Sequence, residues 1–438
     1  MLKSIQQVAE QFIEKTKDKP VQIISHFDTD GISSAAILIK ALQRLDKEFS
    51  LKIVKQIEKS TIEELSQDKV LIFLDLASNS FDYIKNLKTE VFILDHHEII
   101  SEIPKNVAII NPHLFDKEEI SGAGITYLFA KALNEKNIDL AYLAVIGMVG
   151  DLLEKNIGKI FQDIIKDSKV VVKRGLILYP ATRPIDRVLM YTPDIFIPKV
   201  TGSSTGVNNF LRDIGLKKDR QYKSIIELTN GELSKLITAI SLQRTDNREM
   251  SDLIGNIYLI NFFNKLEDVR QISAMINACS RNGDSGTAIA FCLQNKTAKE
   301  KAEGIYTKHR QNIVKALDSI PTLKKIEEKN YIIINAEDKI TDTIIGTIAG
   351  ILSHSRDYEE GKAIIAMAYN KDKIKISARM VGKSGKNIRE VLNSVIEIIG
   401  GEVGGHSAAA GCLIEKYKEK EFIEELKRKL EVEIVKIN

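Results

Sequence analysis

The sequence predicts a multidomain α/β protein: a parallel-sheet N-terminal domain (residues 1–194), a helical connecting region (195–328) and a smaller α+β module (329–438). Three observations carry this reading. In the first block, short and continuously apolar runs alternate with helical patterns, as in a parallel sheet covered on both faces. Near 195 the composition shifts, and "TPDIFIPKVTGSSTGVNNFLRDIG" gathers Pro, Gly, Ser and Asn into a loop-rich stretch. From about 329 strand and helix patterns resume as a set of their own. A chain of 438 residues also exceeds one ordinary core, so two or three domains are expected.

The elements follow in order. "VQIISH" reads as a strand and "GISSAAILIKALQRL" as a helix; "KVLIFLD" and "VFILD" are further strands, and "AGITYLFAKALNE" and "LAYLAVIGMVGD" are helices. The middle region offers helices in "SIIELTNGELSKLITAISLQR" and "TAKEKAEGIYTKHRQNIVKALDSI". The last block runs strand "NYIIINAE", helix "TIIGTIAGILSHS", strands "KAIIAMAYN" and "KIKISARMV", helix "NIREVLNSVIEIIG" and strand "AAAGCLI".

Composition narrows the function classes. Hydrophobic residues make up 44% and charged residues 28%, a globular balance. A net charge of +3 leaves any polyanion site to a local basic surface. Cys279, Cys292 and Cys412 are few, odd in number and far apart, which disfavours a disulfide framework or a cysteine zinc cluster. "MLKSIQQVAEQFIEK" reads as an amphipathic helix and lacks the uninterrupted apolar core of a signal peptide. "LAYLAVIGMVG" is about half a bilayer span, so a cytoplasmic, non-membrane protein is expected.

Four apolar runs in the first block end in acid or imidazole: "HFDTDG" (His26, Asp28, Asp30), "LIFLDLAS" (Asp75), "VFILDHHE" (Asp95, His96, His97) and "VIGMVGD" (Asp151). Residues just past the carboxyl ends of parallel strands converge on one crevice; Asp151 arrives from a helix. One aspartate after a strand is commonly a helix N-cap or turn former, and one "DHH" has no metal geometry. Four such ends within one block point to a metal site, because clustered carboxylates repel until a cation neutralises them. Oxygen ligands with a few imidazoles suit Mn²⁺, with Mg²⁺ as a substitute, better than tetrahedral Zn²⁺. Two such ions about 4 Å apart are the usual apparatus for phosphodiester hydrolysis. The expected ligands are His26, Asp28, Asp30, Asp75, His97 and Asp151, with His96 added to the catalytic set, and Gly31 clears space for a close backbone approach.

These motifs resemble, in order, the four of the DHH phosphoesterase superfamily: "HFDTDG", "FLD", "LDHHE" and "GMVGD". The last block resembles the associated DHHA1 domain, whose glycine-rich motif stands here as "GGEVGGHSAAAG" (400–411). Within the superfamily "IINPHLFDKEEISGAGITYL", "VTGSSTGVNNFLRDIG" and "MINACSRNGDSGTAIAFC" resemble archaeal RecJ-like nucleases, including GINS-associated nuclease. The resemblance implies a DHH catalytic domain and a DHHA1 substrate-binding domain. It also implies a Mn²⁺-dependent exonuclease on single-stranded nucleic acid, 5′-to-3′ on DNA, in replication or repair, with GINS and the replicative helicase as partners. The sequence departs from the family pattern at Glu402 and Val403, which interrupt the glycines, and at Ser280, where glycine is usual.

Substrate contacts are expected from two places. Asn277 and Arg281 match the family's "NAxxR" spacing. "KDKIKISARMVGKSGKNIR" holds seven Lys/Arg against one Asp, which reads either as a solvated face or as a phosphate track. Arg379 lies inside its apolar pattern and has a fork suited to phosphate. Gly404, Gly405 and His406 form a glycine-rich turn offering N–H groups and an imidazole. Two other readings stay open: a phosphodiesterase of short oligonucleotides, RNA or cyclic dinucleotides, and a non-catalytic scaffold of a helicase complex.

Overall fold

The computed structural model describes residues 1–115, 118–155, 157–192, 195, 197–216, 221–244, 253–355, 357–382 and 384–431. The chain divides into two compact units. The first comprises Met1–Arg183, Ser224–Glu227 and Ile254–Thr307; the second comprises Pro184–Lys223, Leu228–Leu253 and Lys308–Asn438.

The first unit begins α1 (Leu2–Lys15), β1 (Val21–His26), α2 (Thr29–Arg44), β2 (Phe49–Val54), α3 (Lys59–Glu63), β3 (Val70–Leu74), α4 (Phe81–Ile84), β4 (Val91–Leu94) and β5 (Val107–Ile110). It continues through α5 (Gly122–Leu133), α6 (Ala141–Gly150), α7 (Lys159–Ser168) and β6 (Val171–Leu176). Strands β1 to β5 form one parallel sheet in the order β2-β1-β3-β4-β5. Alternate residues face two cores: Ile23, Ile72 and Phe92 pack with the helices α1, α2, α5 and α6, while Ile24, Phe73 and Ile93 pack with Phe81 and Ile84 of α4. Burial on both faces explains why the strands read as uninterrupted apolar runs. The edge strands β2 and β5 are only half-buried and carry weaker patterns, so sequence reasoning had not marked them.

Among the described residues the second unit continues with the helices α8 (Ile185–Tyr191), α9 (Ser204–Asp213) and α10 (Asn230–Gln243). Helix α9 lies inside the stretch expected to be loop-rich. The Ser203 hydroxyl caps it by accepting the Gly206 N–H at 3.0 Å, and Val207, Phe210 and Leu211 bury at helical spacing. The chain then re-enters the first unit with β7 (Ile254–Phe262), β8 (Lys265–Asp268), α11 (Val269–Arg281) and α12 (Ser285–Cys292), followed by α13 (Lys296–Ser319). Strands β6, β7 and β8 form an antiparallel sheet, with Phe263 and Asn264 both at positive φ in the two-residue hairpin turn. The region 195–328, read as a helical connector, is thus shared between the units and contains this hairpin.

The second unit closes with β9 (Lys324–Glu327), β10 (Tyr331–Asn335), α14 (Asp342–Ser353), β11 (Ala363–Asn370), β12 (Lys373–Met380), α15 (Ile388–Ile399), β13 (Glu402–His406), β14 (Ala409–Glu415) and α16 (Glu419–Glu431). Its six-stranded sheet has the order β13-β14-β12-β11-β10-β9. No described helix is long and apolar enough to cross a membrane.

Candidate metal centre

The acidic motifs meet because β1, β3 and β4 are neighbours in the sheet and end in one row. Ser25 pairs with Leu74, and Leu74 with Leu94, so His26, Asp75 and Asp95 follow together. The strand order reverses between β1 and β3, the place where ligands bind in open α/β sheets.

His26 Nδ1 lies 3.0 Å from Asp28 Oδ2 and 3.3 Å from Asp75 Oδ2. Asp28 works twice, because its Oδ1 also accepts the Gly31 N–H at 3.0 Å and caps α2. Gly31 is constrained by the chain itself: a Cβ there would lie 2.3 Å from the His26 carbonyl oxygen. The room that Gly31 leaves is taken by the backbone of His26.

Asp30 is wholly buried. Its Oδ2 accepts the Gly122 N–H at 2.6 Å and its Oδ1 the Ala123 N–H at 3.0 Å, at the N-terminus of α5, where the helix dipole favours a carboxylate. Helix α6 approaches equally closely through Gly147, where a Cβ would lie 2.2 Å from Asp30 Oδ1. Sequence reasoning had no role for Gly122 or Gly147; the small-residue clusters "SGAG" and "GMVG" were the available signals. Asp75 sits at φ +58° and Ala77 at +96°, left-handed backbone that side chains rarely adopt and that concentrates at functional sites.

His96 stands among three carboxylates. Its Nε2 is 3.2 Å from Asp75 Oδ1, 3.3 Å from Asp151 Oδ2 and 4.0 Å from Asp30 Oδ2. Asp151 follows the last turn of α6, so its carboxylate reaches the array from a helix. His97 turns to the wholly buried Asp95: its Nδ1 is 2.8 Å from Asp95 Oδ1. Asp95 also accepts the N–H groups of Ser78, His96 and His97, and the Asn111 amide donates to Ser78 Oγ and to the His97 carbonyl. Asp95, Ser78 and Asn111 thus hold the "DHH" loop in shape, and sequence reasoning assigned none of them that task.

Among the described residues three donor groups result, each with ligand atoms within 4.8 Å of one another: His26, Asp28 and Asp75; Asp30, Asp75, His96 and Asp151; and Asp75, His96 and His97. Asp75 belongs to all three. His96, expected in catalysis but not as a ligand, is a donor in two of them. Asp75 Oδ1 and Asp151 Oδ2 are buried and accept no well-directed hydrogen bond. A buried acceptor left unmade costs about 1–3 kcal/mol, and more when charged. A divalent cation would satisfy both oxygens, and the carboxylate–imidazole set fits Mn²⁺ or Mg²⁺.

The titration behaviour of the metal-free array agrees. Burial, and then the charge of Asp75, push Asp30 up to about 8. Burial and the charges of Asp30 and Asp75 raise Asp151 well above the usual carboxylate range. Burial pulls His26 down, but Asp28 and Asp75 more than offset it and push it up to about 11. Burial also opposes the charge on His96, yet Asp75 raises it to about 9. Burial would raise Asp75, but the hydrogen bond with His26 and the charge of the adjacent His96 imidazole hold it well below the ordinary range. Protons on the imidazoles and on Asp30 and Asp151 supply the neutralisation that cations would otherwise provide.

Two predicted substrate contacts lie in this unit. Asn277 Oδ1 accepts the Thr29 N–H at 3.2 Å, so this residue, expected to touch substrate, also ties α11 to the start of α2. Arg281 is exposed, within reach of the charge of Asp28. The Ser280 hydroxyl, at the departure from the family's glycine, is buried without a hydrogen-bond partner among the described residues.

Arg379, Gly404, Gly405 and His406 belong to the second unit. The expected glycine-rich turn is corrected: residues 402–406 are the edge strand β13, paired with β14, and the turn falls at 407–408. Gly405 is needed for that pairing, since at its φ of +120° a Cβ would lie 2.4 Å from the Ala409 carbonyl oxygen. Arg379, Ala409 and His406 stand in one cross-strand row, so Arg379 and His406 project from the same face of the sheet. The opposite face, with Ile376, Ala378, Ala410 and Cys412, packs into the core with α15 and α16. Gly404 is exposed with open space above it. Lys383 of the basic stretch lies outside the described residues.

Fold and donor set together define the class: an α/β protein that gathers carboxylates and imidazoles for divalent cations at the carboxyl ends of parallel strands. Three family models match it: the DHH family N-terminal domain over residues 20–148, the DHH-CID domain over 178–253 and the DHHA1 domain over 328–432. The chain belongs to the DHH phosphoesterase superfamily and is RecJ-like within it. Among its relatives is an uncharacterized protein of Methanocaldococcus jannaschii, MJ0831, 29% identical over 443 residues and covering 96% of each chain. The single-stranded-DNA-specific exonuclease RecJ of Thermus thermophilus is 24% identical over 181 residues, 37% of this chain and 26% of that one. The structure of Thermus RecJ in complex with Mn²⁺ superposes with a TM-score of 0.63 at 17% identity, covering 97% of this chain and 54% of that one. This chain therefore spans about half the length of that relative. CDC45 of Entamoeba histolytica superposes with a TM-score of 0.69 at 14% identity, covering 98% of this chain and 99% of that one.

Proposed function

We propose that this protein is a metal-dependent exonuclease on single-stranded nucleic acid, with two Mn²⁺ ions as its cofactor and Mg²⁺ as a substitute. The observation that carries the reading is the pair of buried, unsatisfied oxygens, Asp75 Oδ1 and Asp151 Oδ2, inside a continuous array of carboxylates and imidazoles. His26, Asp28, Asp30, Asp75, His96, His97 and Asp151 would hold the ions. Bound there, divalent cations would activate water for attack on phosphorus and stabilise the oxygens that gain charge. Asp95 orients His97 and the loop before it, and the N-terminus of α5 fixes Asp30. Arg281 beside Asp28, and Arg379 and His406 in one cross-strand row with the backbone of Gly404 and Gly405 next to them, would take the substrate's phosphates and backbone. On this reading residues 1–194 are catalytic, 195–328 connect, and 329–438 bind substrate. Polarity 5′-to-3′ on DNA, a place in replication or repair, and GINS and the replicative helicase as partners are part of the same proposal.

The likeness to CDC45 favours a second reading, a scaffold without catalysis. The complete donor array argues against it. End-labelled single-stranded DNA and RNA, labelled at either end and incubated with Mn²⁺, Mg²⁺ or EDTA, decide the matter. Stepwise loss of end nucleotides with Mn²⁺, abolished by EDTA and by Asp151→Ala, is expected. Binding without cleavage under every metal condition would replace the exonuclease reading with the scaffold, and cleavage that survives EDTA would sink the metal assignment.

A further inference from the structure

Leu152 follows the metal-ligand candidate Asp151 and has a φ of +59°. That position, just past the end of α6, is one that glycine or asparagine normally fills, because an L side chain there crowds its own backbone. Two other described apolar residues, Ala77 and Phe263, also have left-handed φ, and each is compensated. Ala77 is buried, while Phe263 stacks on Phe291 with ring centroids 5.7 Å apart and lies beneath Lys299 Nζ. Leu152 is 73% exposed. Its N–H bonds back to the Val149 carbonyl at 3.3 Å, but among the described residues its apolar side chain is left to water, and no packing offsets the left-handed backbone. Unfavourable backbone that persists without a local reason marks a functional position.

We infer that Leu152 is a substrate contact, its isobutyl group covering the apolar face of the nucleobase next to the scissile phosphate. The inference rests on the nucleic-acid reading proposed above. One residue step along the chain is about 3.8 Å, so Leu152 starts beside the array that would hold the phosphate. Its side chain can neither donate nor accept a hydrogen bond. It therefore suits a base's π-face and is indifferent to which base is present, as contacts through base faces are. The water-exposed surface of the free protein is covered only in the complex.

Two variants separate the contact from the backbone. Leu152→Gly removes side chain and strain together; Leu152→Ala removes the contact and keeps the strain. Each is assayed with Mn²⁺ on a single-stranded oligonucleotide and on the same oligonucleotide with an abasic residue at the attacked end, and thermal unfolding is recorded in parallel. Both variants should lose about tenfold in kcat/KM on the complete oligonucleotide and almost nothing on the abasic one, while Leu152→Gly unfolds at or above the wild-type temperature. Equal losses on the two substrates, no loss on either, or a loss that follows a lowered unfolding temperature in Leu152→Gly would overturn the contact. A wild-type protein that cleaves neither oligonucleotide would overturn the exonuclease reading and the contact with it. Cleavage of both by wild type and variants alike would overturn the contact alone.

Discussion

Replacing Asp95 with asparagine changes no expected metal ligand, yet it should weaken metal binding. The wholly buried carboxylate accepts four hydrogen bonds: Oδ2 takes the Ser78 N–H at 2.9 Å, and Oδ1 takes the His96 N–H at 2.8 Å, the His97 N–H at 3.3 Å and the His97 ring at 2.8 Å. An amide has one acceptor side. With its oxygen kept on the histidine side, its NH₂ faces the Ser78 N–H, donor against donor. The three remaining bonds change from charge-assisted to neutral, a loss of about 1 kcal/mol each. A loosened "DHH" loop and a less basic His97 should lower metal affinity by about 10–100-fold, the usual effect of removing a carboxylate behind a metal-binding histidine. The assay is the rise in unfolding temperature with Mn²⁺ concentration. At saturation, stabilisation grows as RT ln(1 + [L]/Kd), so a hundredfold weaker site loses about 2.7 kcal/mol of it. Turnover should recover at high Mn²⁺. A folded Asp95→Asn protein with wild-type Mn²⁺ affinity would refute the positioning role.

Three further outcomes follow from the geometry. Gly147→Ala places a Cβ 2.2 Å from Asp30 Oδ1 and 2.5 Å from Ala123 Cβ; overpacking should cost about 1–3 kcal/mol in denaturant unfolding and abolish Mn²⁺-dependent hydrolysis, and wild-type values in both would count against the close packing. In the metal-free protein Asp30 keeps its proton to about pH 8 against an ordinary 3.8, and His26 to about pH 11 against 6.5. The folded state therefore holds more protons than the unfolded state, and stability falls as pH rises, for Asp30 across about 4–8 and for His26 from about 6.5 upward. Unfolding temperature in EDTA should drop between pH 6.5 and 9 while the Mn²⁺-induced rise grows, and a flat profile would contradict the assignment. Arg379→Ala should weaken binding of single-stranded oligonucleotides and reduce the salt slope by about one counterion, whereas His406→Ala should lower the maximal rate more than the affinity. Equal, salt-independent losses in both would mean that this sheet face supports structure alone.

Much of this was legible in the residues. Strands buried on both faces announce themselves as apolar runs, and β1, β3 and β4 were readable for that reason, as were the acids and imidazoles that end them. The half-buried edge strands β2 and β5 were not, because a strand with one neighbour has no need of a continuous apolar pattern. Helix α9 and the β7–β8 hairpin were missed because Ser203 capping and a left-handed Phe263–Asn264 turn are settled by packing as much as by composition.

Local chemistry is written in the chain: which residue types stand after which strand, and which spacings recur. Proximity across the chain is not. That His96 sits among Asp30, Asp75 and Asp151 while His97 turns to Asp95 depends on how two adjacent imidazoles leave one loop, and no spacing distinguishes them. That Asp30 is held by the first N–H groups of α5, and that Gly122 and Gly147 must lack side chains, depends on residues 92 and 117 positions away in sequence meeting one carboxylate. Likewise "GGEVGGH" carries the glycines, but only strand pairing makes them an edge strand and sets His406 in one row with Arg379. Tertiary packing decides these points because each is a distance between groups that the chain does not connect locally.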